Sequence, residues 1–310
     1  MLGRMVAERL KEVPPEQLVS PEVVEATRRA DLFLLNLECC ISTRGERWPE
    51  PGKPFFFRAP PEAVGTLTHL GVDCVTLANN HALDFGHDAL MDTFDHLSAA
   101  GVEWVGAGPD LERARAPVTL VAGGTALTVV AATDHPQGYA ATPDRPGVAY
   151  ADLWSEVPDW LVSTFSSQPG PVLVTPHWGP NMTTTPLAHI RRAAEAFVDA
   201  GAAVVAGHSA HVFHGVSGRV LYDLGDFLDD YAVDAVLRND LGLLWFLTLD
   251  GSAIRRLEAL PLKLDYCYTK VAEGEDSEWI RRRFRDACAE FGTEVAEESG
   301  LLVVDSPGGG

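Results

Sequence analysis

Residues that can bind metal ions or move protons occur at four places in this sequence, each directly after a short apolar run. Runs of this length and composition are typical of buried β-strands. In open α/β sheets the ligand site lies outside the carboxyl ends of the strands, so four such segments would converge on one crevice. The segments are Asn36-Leu37-Glu38, Ala78-Asn79-Asn80-His81, Pro176-His177-Trp178-Gly179 and Gly207-His208-Ser209-Ala210-His211.

The side chains of these segments have the donor atoms of a mixed nitrogen and oxygen metal site. Glu38 has two carboxylate oxygens and can bridge two cations, while Asn80 offers an amide oxygen. Such a set suits Mn²⁺, Zn²⁺, Fe or Co rather than Ca²⁺, which prefers oxygen ligands alone. Two ions held close together can polarise a phosphoryl oxygen and generate hydroxide at neutral pH. The candidate ligands are Glu38, Asn80, His177, His208 and His211.

Each of these residues alone also has an ordinary structural explanation. A single histidine after a strand is more often hydrogen-bonded within the fold than bound to a metal. A lone carboxylate can equally cap a helix or form an ion pair, and paired asparagines are typical of a turn. His87, His135 and His214 lie in predicted loops and are weaker candidates. Of these, His214 is the best additional pocket residue, because it follows His211 by three positions.

Alternating strand and helix patterns would position the four segments. Strands are predicted at residues 31–36, 72–78, 102–105, 125–131, 171–175, 203–206, 219–223, 243–249, 253–262 and 301–304. Helices are predicted at residues 61–70, 87–100, 187–200 and 277–291. Residues 243–249 and 253–262 form a predicted hairpin across Asp250-Gly251. This order predicts an α/β fold of mixed sheets with helices outside, in a single domain over residues 1–310.

The composition excludes several classes of protein. With 310 residues and 46% apolar side chains, the chain can bury a sizeable core. A net charge of −20 argues against binding to nucleic acid and to anionic membrane surfaces, both of which require clustered Lys and Arg. The charge also serves solubility. No stretch approaches the roughly 18 apolar residues of a membrane span, so no membrane span is expected.

The cysteines indicate a reducing compartment. Five cysteines are an odd number, and none form a Cys-x-x-Cys pair. This usage favours free thiols and a cytoplasmic protein. The first residues also lack the apolar core of a signal peptide. The expected cytoplasmic localisation depends on where the chain truly starts, because an upstream segment could carry a signal or an anchor.

Taken together, the motifs resemble those of the CapA family, which is associated with bacterial poly-γ-glutamate synthesis and is similar to calcineurin-like metallophosphatases. Residues 77–86 (LANNHALDFG) resemble the family signature LANNHxxDxG. Further resemblances are NLE at residues 36–38, HWG at 177–179, GHSAHV at 207–212 for GHHPHV, and YDLGDF at 222–227 for YSLGNF. The resemblance runs in order from Met1 to about Phe246.

The resemblance implies a metallophosphatase-like α/β/β/α sandwich of two mixed sheets with a dinuclear metal site. In such a site Glu38 would bridge the two ions. His81 would donate a proton to the leaving oxygen or stabilise an oxyanion beside them. Asp84 would orient His81 or shape the turn. The remaining implied ligands are Asn80, His177, His208 and His211.

Two classes of function fit this pattern best. The first is a metal-dependent hydrolase of the phosphoesterase type, acting on a small phosphoester or on an anionic polymer such as poly-γ-glutamate. The alternative is a non-catalytic accessory binding protein of a polymer-synthesis assembly. A nucleotide phosphoesterase is a third and weaker reading. Departures from the family at Ser209-Ala210 and Asp226 would retune the pocket rim, and Asn181 stands near where many relatives carry an acidic residue, so the substrate does not transfer with the motif.

The start of the sequence predicts an incomplete site. Met1-Leu2-Gly3-Arg4 resembles the end of the GDxMLGR motif with which relatives open, whose Asp is a metal ligand after a first strand. We therefore expect that this strand and the Gly-Asp are missing from the sequence. Four ligands suffice for one ion, whereas two rarely hold another. The expected result is one well-occupied metal site, a weak partner site, low activity, and an open sheet edge or unfilled core slot.

Overall fold

The computed structural model describes residues 1–168 and 170–305. Its α-helices are α1 Arg4–Arg9, α2 Pro21–Thr27, α3 Val64–Leu70, α4 Gly86–Ala99, α5 Leu111–Arg115, α6 Asp159–Val162, α7 Ala188–Asp199 and α8 Gly274–Ala289. Short 3₁₀ helices are Pro15–Leu18, Pro61–Ala63, Gln137–Tyr139 and Phe165–Ser167.

The strands of the first half are β1 Leu34–Asn36, β2 Cys40–Ile41, β3 Arg58–Ala59, β4 Cys74–Thr76, β5 Glu103–Val105, β6 Ala107–Gly108, β7 Val118–Ala122, β8 Thr125–Thr133 and β9 Gly147–Val148. Those of the second half are β10 Val172–His177, β11 Val204–Ala206, β12 Val216–Ser217, β13 Val220–Leu221, β14 Leu241–Asp250, β15 Ala253–Leu264, β16 Thr269–Val271, β17 Ala296–Glu298 and β18 Leu301–Asp305.

Three sheets form the framework. The first is parallel and runs in the order β1-β4-β5. The second has the order β12-β13-β11-β10-β8-β7, with four parallel strands inside and an antiparallel strand at each edge. The third is antiparallel, in the order β14-β15-β18-β17, with β16 also paired to β15. Two small pairs, β2-β3 and β6-β9, lie outside these sheets.

The sheets pack in layers with helices on the outside. One face of the first sheet packs against α3 and α4, and its other face packs against β7 and β8 of the second sheet. Alternation along β4 makes this possible, because Val75 belongs to the helix-side cluster and Cys74 to the sheet-side cluster. The second sheet buries its far face under α7, where Phe197 is fully covered. The predicted α/β class with mixed sheets and outer helices is confirmed.

The sequence predicted the longer elements better than the short ones. Helix α4 buries Leu90, Phe94 and Leu97 on one face, and β14 and β15 form the expected hairpin. Predicted strand 31–36 begins only at Leu34, because its partner β4 begins at Cys74. The short helices α1, α2 and α5 were missed, since one or two turns give too few positions to show a helical period.

A cavity of about 770 Å³ lies between the first and third sheets. We call it the slot. Its walls include β1 and β14, and each of these is an edge strand of its sheet. Its floor is formed by apolar residues of the second sheet, among them Leu127, Leu173 and Val204. A space of this size beside two open edges is unusual, because protein cores are normally close-packed.

The five cysteines are free thiols, as predicted, and all five are buried. Burial raises the pKa of the Cys39 thiol to about 11 and that of Cys267 also to about 11. Within residues 1–168 and 170–305, no helix is both long and apolar enough to cross a membrane.

Candidate metal centre

The segments predicted from the sequence follow parallel strands of two sheets. β1 leads into Glu38, and its neighbour β4 leads into Asn80 and His81. β10 ends at His177, whose backbone forms a bridge with that of His208 after β11. Each polar group therefore lies at the carboxyl end of a parallel strand or in the loop that follows it, which is the place where such folds hold ligands.

The slot brings the two sets together, because residues of both sheets line it. Nε2 of His81 lies 3.9 Å from Oε1 of Glu38. Glu38, His208 and His211 all line the slot. The rings of His177 and His208 have centroids 5.6 Å apart. One crevice thus contains carboxylate oxygen from the first sheet and imidazole nitrogen from the second.

The Glu38 carboxylate is buried and only half satisfied. Its Oε2 accepts a hydrogen bond of 3.2 Å from the Asn36 amide. Its Oε1 is buried, and none of the described residues offers it a hydrogen bond. A buried carboxylate oxygen without a partner is costly, so this atom is available for a cation.

Asn79 and Asn80 divide two tasks between them. Asn79 is fully buried and fastens the loop: its Nδ2 donates to Asn36 at 3.0 Å and to the Leu37 carbonyl at 2.9 Å, and its Oδ1 accepts from His81 N at 3.0 Å. The Oδ1 atom of Asn80 is buried and has no hydrogen-bond partner in the described part of the chain. The turn formed by this pair thus leaves the Oδ1 atom of Asn80 available for a ligand.

The imidazole of His81 is held on one side and free on the other. Its Nδ1 lies 2.6 Å from Oδ2 of Asp84, and its ring stacks on Phe57 with centroids 3.9 Å apart. This leaves Nε2 directed toward Glu38. The ring can therefore hold or move a proton at Nε2 while its orientation stays fixed.

Asp84 collects four donors although its side chain has no exposed surface. Besides His81, these are the Phe57 backbone amide at 2.6 Å, the Tyr139 hydroxyl at 3.0 Å and the Lys53 ammonium at 3.0 Å. Burial, together with the charge of Asp84, raises the pKa of Tyr139 far above its ordinary range. Asp84 is thus a fixed acceptor that orients His81, and Tyr139 remains a hydroxyl donor.

Two histidines are buried in a neutral state. Burial lowers the pKa of His208 to about 3. Burial, with the imidazoles of His135 and His208 nearby, lowers that of His177 well below its ordinary value. Nε2 of His208 bonds to Thr175 Oγ1 at 2.7 Å, and its Nδ1 has no partner among the described residues. Both nitrogens of His177 likewise have none there. Neutral imidazole is the form that binds metals.

His211 is in a different electrostatic environment. Its Nδ1 lies 3.0 Å from Oδ1 of Asp226, and its ring contacts the ring edge of Tyr231. Burial would lower the pKa of His211, but the charge and hydrogen bond of Asp226 raise it to about 10. His211 is thus paired with the carboxylate that stands where the resembled motif has an asparagine.

The buried donor atoms of this crevice determine whether it fits a divalent metal. Within residues 1–168 and 170–305, no group of three or more His, Cys, Asp or Glu side chains forms a ready metal site. The donor chemistry nevertheless fits, because buried atoms without a hydrogen-bond partner in that same part of the chain include Glu38 Oε1, Asn80 Oδ1, His208 Nδ1 and both nitrogens of His177. The residues are the right type for a mixed N/O site, although they do not form a closed shell.

Sequence reasoning missed several residues at this site. Lys53 comes from a loop without a recognisable motif, yet its side chain is only 10% exposed and also donates to the Asn80 carbonyl at 2.6 Å. Asp134 and His135 follow β8, and the ring of His135 lies 5.3 Å from that of His177. The signal for them was a polar pair three residues beyond the predicted strand 125–131, which in the structure continues to Thr133. His214, the expected extra residue, instead bonds to the Thr183 carbonyl.

Comparison with known proteins gives a match over most of the chain. Residues 1–231 match the family described as bacterial capsule synthesis protein PGA_cap. A Mycobacterium tuberculosis protein named as a polyglutamine synthesis accessory protein is 32% identical over 288 residues, covering 86% of this chain and 74% of that protein. The PGA biosynthesis protein CapA of Bacillus subtilis is 29% identical over 236 residues, covering 74% of this chain and 61% of that protein.

Among solved structures, a hypothetical protein from Thermus thermophilus aligns with a TM-score of 0.43 at 15% identity. The alignment covers 82% of this chain and 92% of that one.

Proposed function

The chain belongs to the bacterial capsule synthesis protein PGA_cap family, and we propose that it is a metal-dependent hydrolase of the phosphoesterase type that acts in poly-γ-glutamate or exopolymer metabolism. The family predicted from the motifs is thereby confirmed. The names of its relatives connect the family with capsule and polymer synthesis. The hydrolytic reaction is the part that we infer from the crevice.

The observation that supports this proposal is the set of buried donor atoms left without partners at the strand ends. Glu38 Oε1, Asn80 Oδ1, His208 Nδ1 and both ring nitrogens of His177 are hidden from water and form no hydrogen bond to any described residue. Leaving several such groups unsatisfied would cost roughly 1–3 kcal/mol each. A divalent cation would satisfy them together. Mn²⁺, Zn²⁺, Fe or Co suit this donor set.

Each group then has a distinct task. Glu38, Asn80, His177 and His208 would hold the metal, with His211 beside them. Divalent metal supplies charge stabilisation for a phosphoryl group and acidifies water. His81 Nε2 faces Glu38 at 3.9 Å and would exchange a proton with the leaving oxygen. Asp84 fixes the His81 ring through Nδ1, and Tyr139 and Lys53 in turn fix Asp84.

The charge of the whole chain bears on the substrate. With a net charge of −20, long polyanions are repelled unless cations intervene. A small phosphoester is therefore favoured over a long anionic polymer as the molecule that enters the crevice. The nearly buried Lys53 is a cation beside the His81–Asp84 pair.

A specific observation also favours the alternative, a non-catalytic accessory binding protein. No group of three or more His, Cys, Asp or Glu side chains in the described ranges is arranged as a formed metal site. The Mycobacterium tuberculosis relative is itself named as an accessory protein. Under this alternative the crevice would bind an anionic partner without turnover.

One experiment separates the two functions. The metal content of the purified protein is measured after exposure to Mn²⁺, followed by hydrolysis of an aryl phosphate. The hydrolase proposal expects bound metal and turnover that a double variant, His177→Ala with His208→Ala, abolishes. A Lys11→Met variant, altered at an exposed ion pair with Glu8, serves as the matched control and keeps both. Absence of metal from a folded protein, with no turnover, would leave the accessory role.

A further inference from the structure

A fifth strand end reaches the crevice with a carboxylate and an imidazole. β8 ends at Thr133, which is the register partner of His177 on β10, and the next two residues are Asp134 and His135. Local bonds fix this turn in place. Asp134 N donates to the His177 carbonyl at 3.1 Å, and the Thr133 hydroxyl donates to the His135 carbonyl at 2.7 Å.

The Asp134 carboxylate holds the His135 ring. The Asp134 side chain has no exposed surface, and its Oδ1 is paired with Nδ1 of His135. Its Oδ2 accepts a bond of 2.9 Å from the backbone amide of Gly179. With Nδ1 donating to a buried carboxylate, Nε2 is the nitrogen left with a free lone pair. Metal-binding histidines have this same arrangement, in which the other ring nitrogen donates to a carboxylate.

The spacing of the rings fits a shared ion. Two imidazoles bound to one ion through nitrogen at about 2.1 Å have ring centroids about 5 Å apart. The His135 and His177 centroids are 5.3 Å apart. Neither nitrogen of His177 has a hydrogen-bond partner in the portion of the chain described. The His135 side chain is 32% exposed, so it is reachable from solvent.

We propose that His135, oriented by Asp134, is a further ligand of the metal centre and binds through Nε2 to an ion that His177 also holds. This inference rests on the proposed function, because it adds a residue to the same centre. It would bring a ligand from β8 to join those from β1, β4, β10 and β11. His189, 3.8 Å from Asp134 Oδ2, is stacked on Trp154.

The test is a Co²⁺ titration of the full chain, in which binding is measured by calorimetry and by the visible absorption of the bound ion. His135→Ala is expected to weaken Co²⁺ binding by about 10–100-fold and to change the absorption spectrum. Asp134→Asn keeps the shape of the turn and is expected to weaken binding in the same direction by about 10-fold. His96→Ala, a half-buried histidine on α4, is the matched control and should bind as the unaltered protein does.

The outcomes separate this inference from the proposed function. If the unaltered protein binds Co²⁺ while the His135→Ala and Asp134→Asn variants keep its affinity and spectrum, His135 is not a ligand and the metal centre stands without it. If the unaltered protein binds no Co²⁺, the metal centre itself is wrong and this inference falls with it. Circular dichroism shows whether each variant is folded. Should His135→Ala unfold, His135→Gln together with Asp134→Asn decides.

Discussion

At the scale of single residues, the crevice separates groups that are already satisfied from groups that are not. Asp84 accepts four hydrogen bonds or ion pairs, and Asn79 uses both ends of its amide. By contrast, Glu38 Oε1 and Asn80 Oδ1 are buried, and no described residue bonds to them. Buried polar atoms are nearly always paired, so this contrast separates the residues that the fold satisfies from those that we propose as metal ligands.

The contrast makes a prediction for His81. His81→Ala should lower turnover of an aryl phosphate by about 10²–10⁴-fold, because a positioned proton donor contributes that much. Metal binding should stay unchanged, since His81 Nδ1 is engaged by Asp84 and its Nε2 only faces Glu38. Steady-state kinetics and metal analysis of the same sample check both halves.

The control for this experiment is again His96→Ala, which alters a histidine on α4. A His81→Ala protein that loses metal in proportion to activity would show His81 to be a ligand. A His81→Ala protein with full turnover would remove the proton-transfer role altogether.

At the scale of elements, the sequence predicted which side chains follow the strands, but not which contacts hold those side chains in place. The runs before Glu38, His81, His177 and His208 were sufficient to predict β1, β4, β10 and β11, because buried parallel strands are nearly continuous apolar runs. The loop that brings in Lys53 was not predictable, since no local pattern reveals a contact made across 27 residues of chain.

His135 illustrates the other limit of sequence reasoning. The sequence makes it only a weaker candidate in a predicted loop, because one histidine after a strand is usually structural. Its position became clear only from the register of β8 beside β10, which sets Thr133 next to His177. Register is a tertiary property, fixed by which faces of neighbouring strands are buried together.

The loop after β4 makes a prediction for Asn79. Asn79→Ala should lower the free energy of unfolding by about 3 kcal/mol or more, because three partners lose their bonds and each costs roughly 1–3 kcal/mol when left unsatisfied. Those partners are the Asn36 side chain, the Leu37 carbonyl and the His81 amide. Urea unfolding followed by fluorescence measures the change.

Asn181→Ala is the matched control, because Asn181 is exposed, and it should change the free energy of unfolding by less than about 0.5 kcal/mol. Equal stabilities of the two variants would mean that the Asn79 bonds do not fasten the loop. A loss in the Asn79 variant confined to metal binding would instead assign Asn79 to the ligand set.

At the scale of the whole molecule, the slot is the feature that needs an explanation. β1 and β14 are edge strands of different sheets, and both line the same cavity of about 770 Å³. Open edges of this kind are ready to pair with another strand. The slot is also lined by Glu38, His208 and His211, so whatever lies in the slot comes close to the candidate metal centre.

The slot leads to a prediction for an engineered chain with added residues. We expect that an apolar strand of about six residues, added ahead of Met1 and followed by Gly-Asp, would pair with β1 and β14 and fill the cavity. Burying about three large apolar side chains there should raise the free energy of unfolding by roughly 5 kcal/mol. The added Asp should raise the number of tightly bound metal ions, because two ligands alone rarely hold an ion against water. Urea unfolding and metal analysis test these two effects independently.

A matched pair of extensions separates packing from metal binding. The same strand ending in Gly-Ala should give the full gain in stability with no additional metal. The Gly-Asp ending placed after a serine-rich segment should give neither, because a polar segment has no reason to enter an apolar slot. Two tightly bound metals in the 310-residue chain would show that a second ion does not need the added Asp. A stabilised longer chain with Gly-Asp that binds no more metal than the chain without it would contradict the expected role of that Asp.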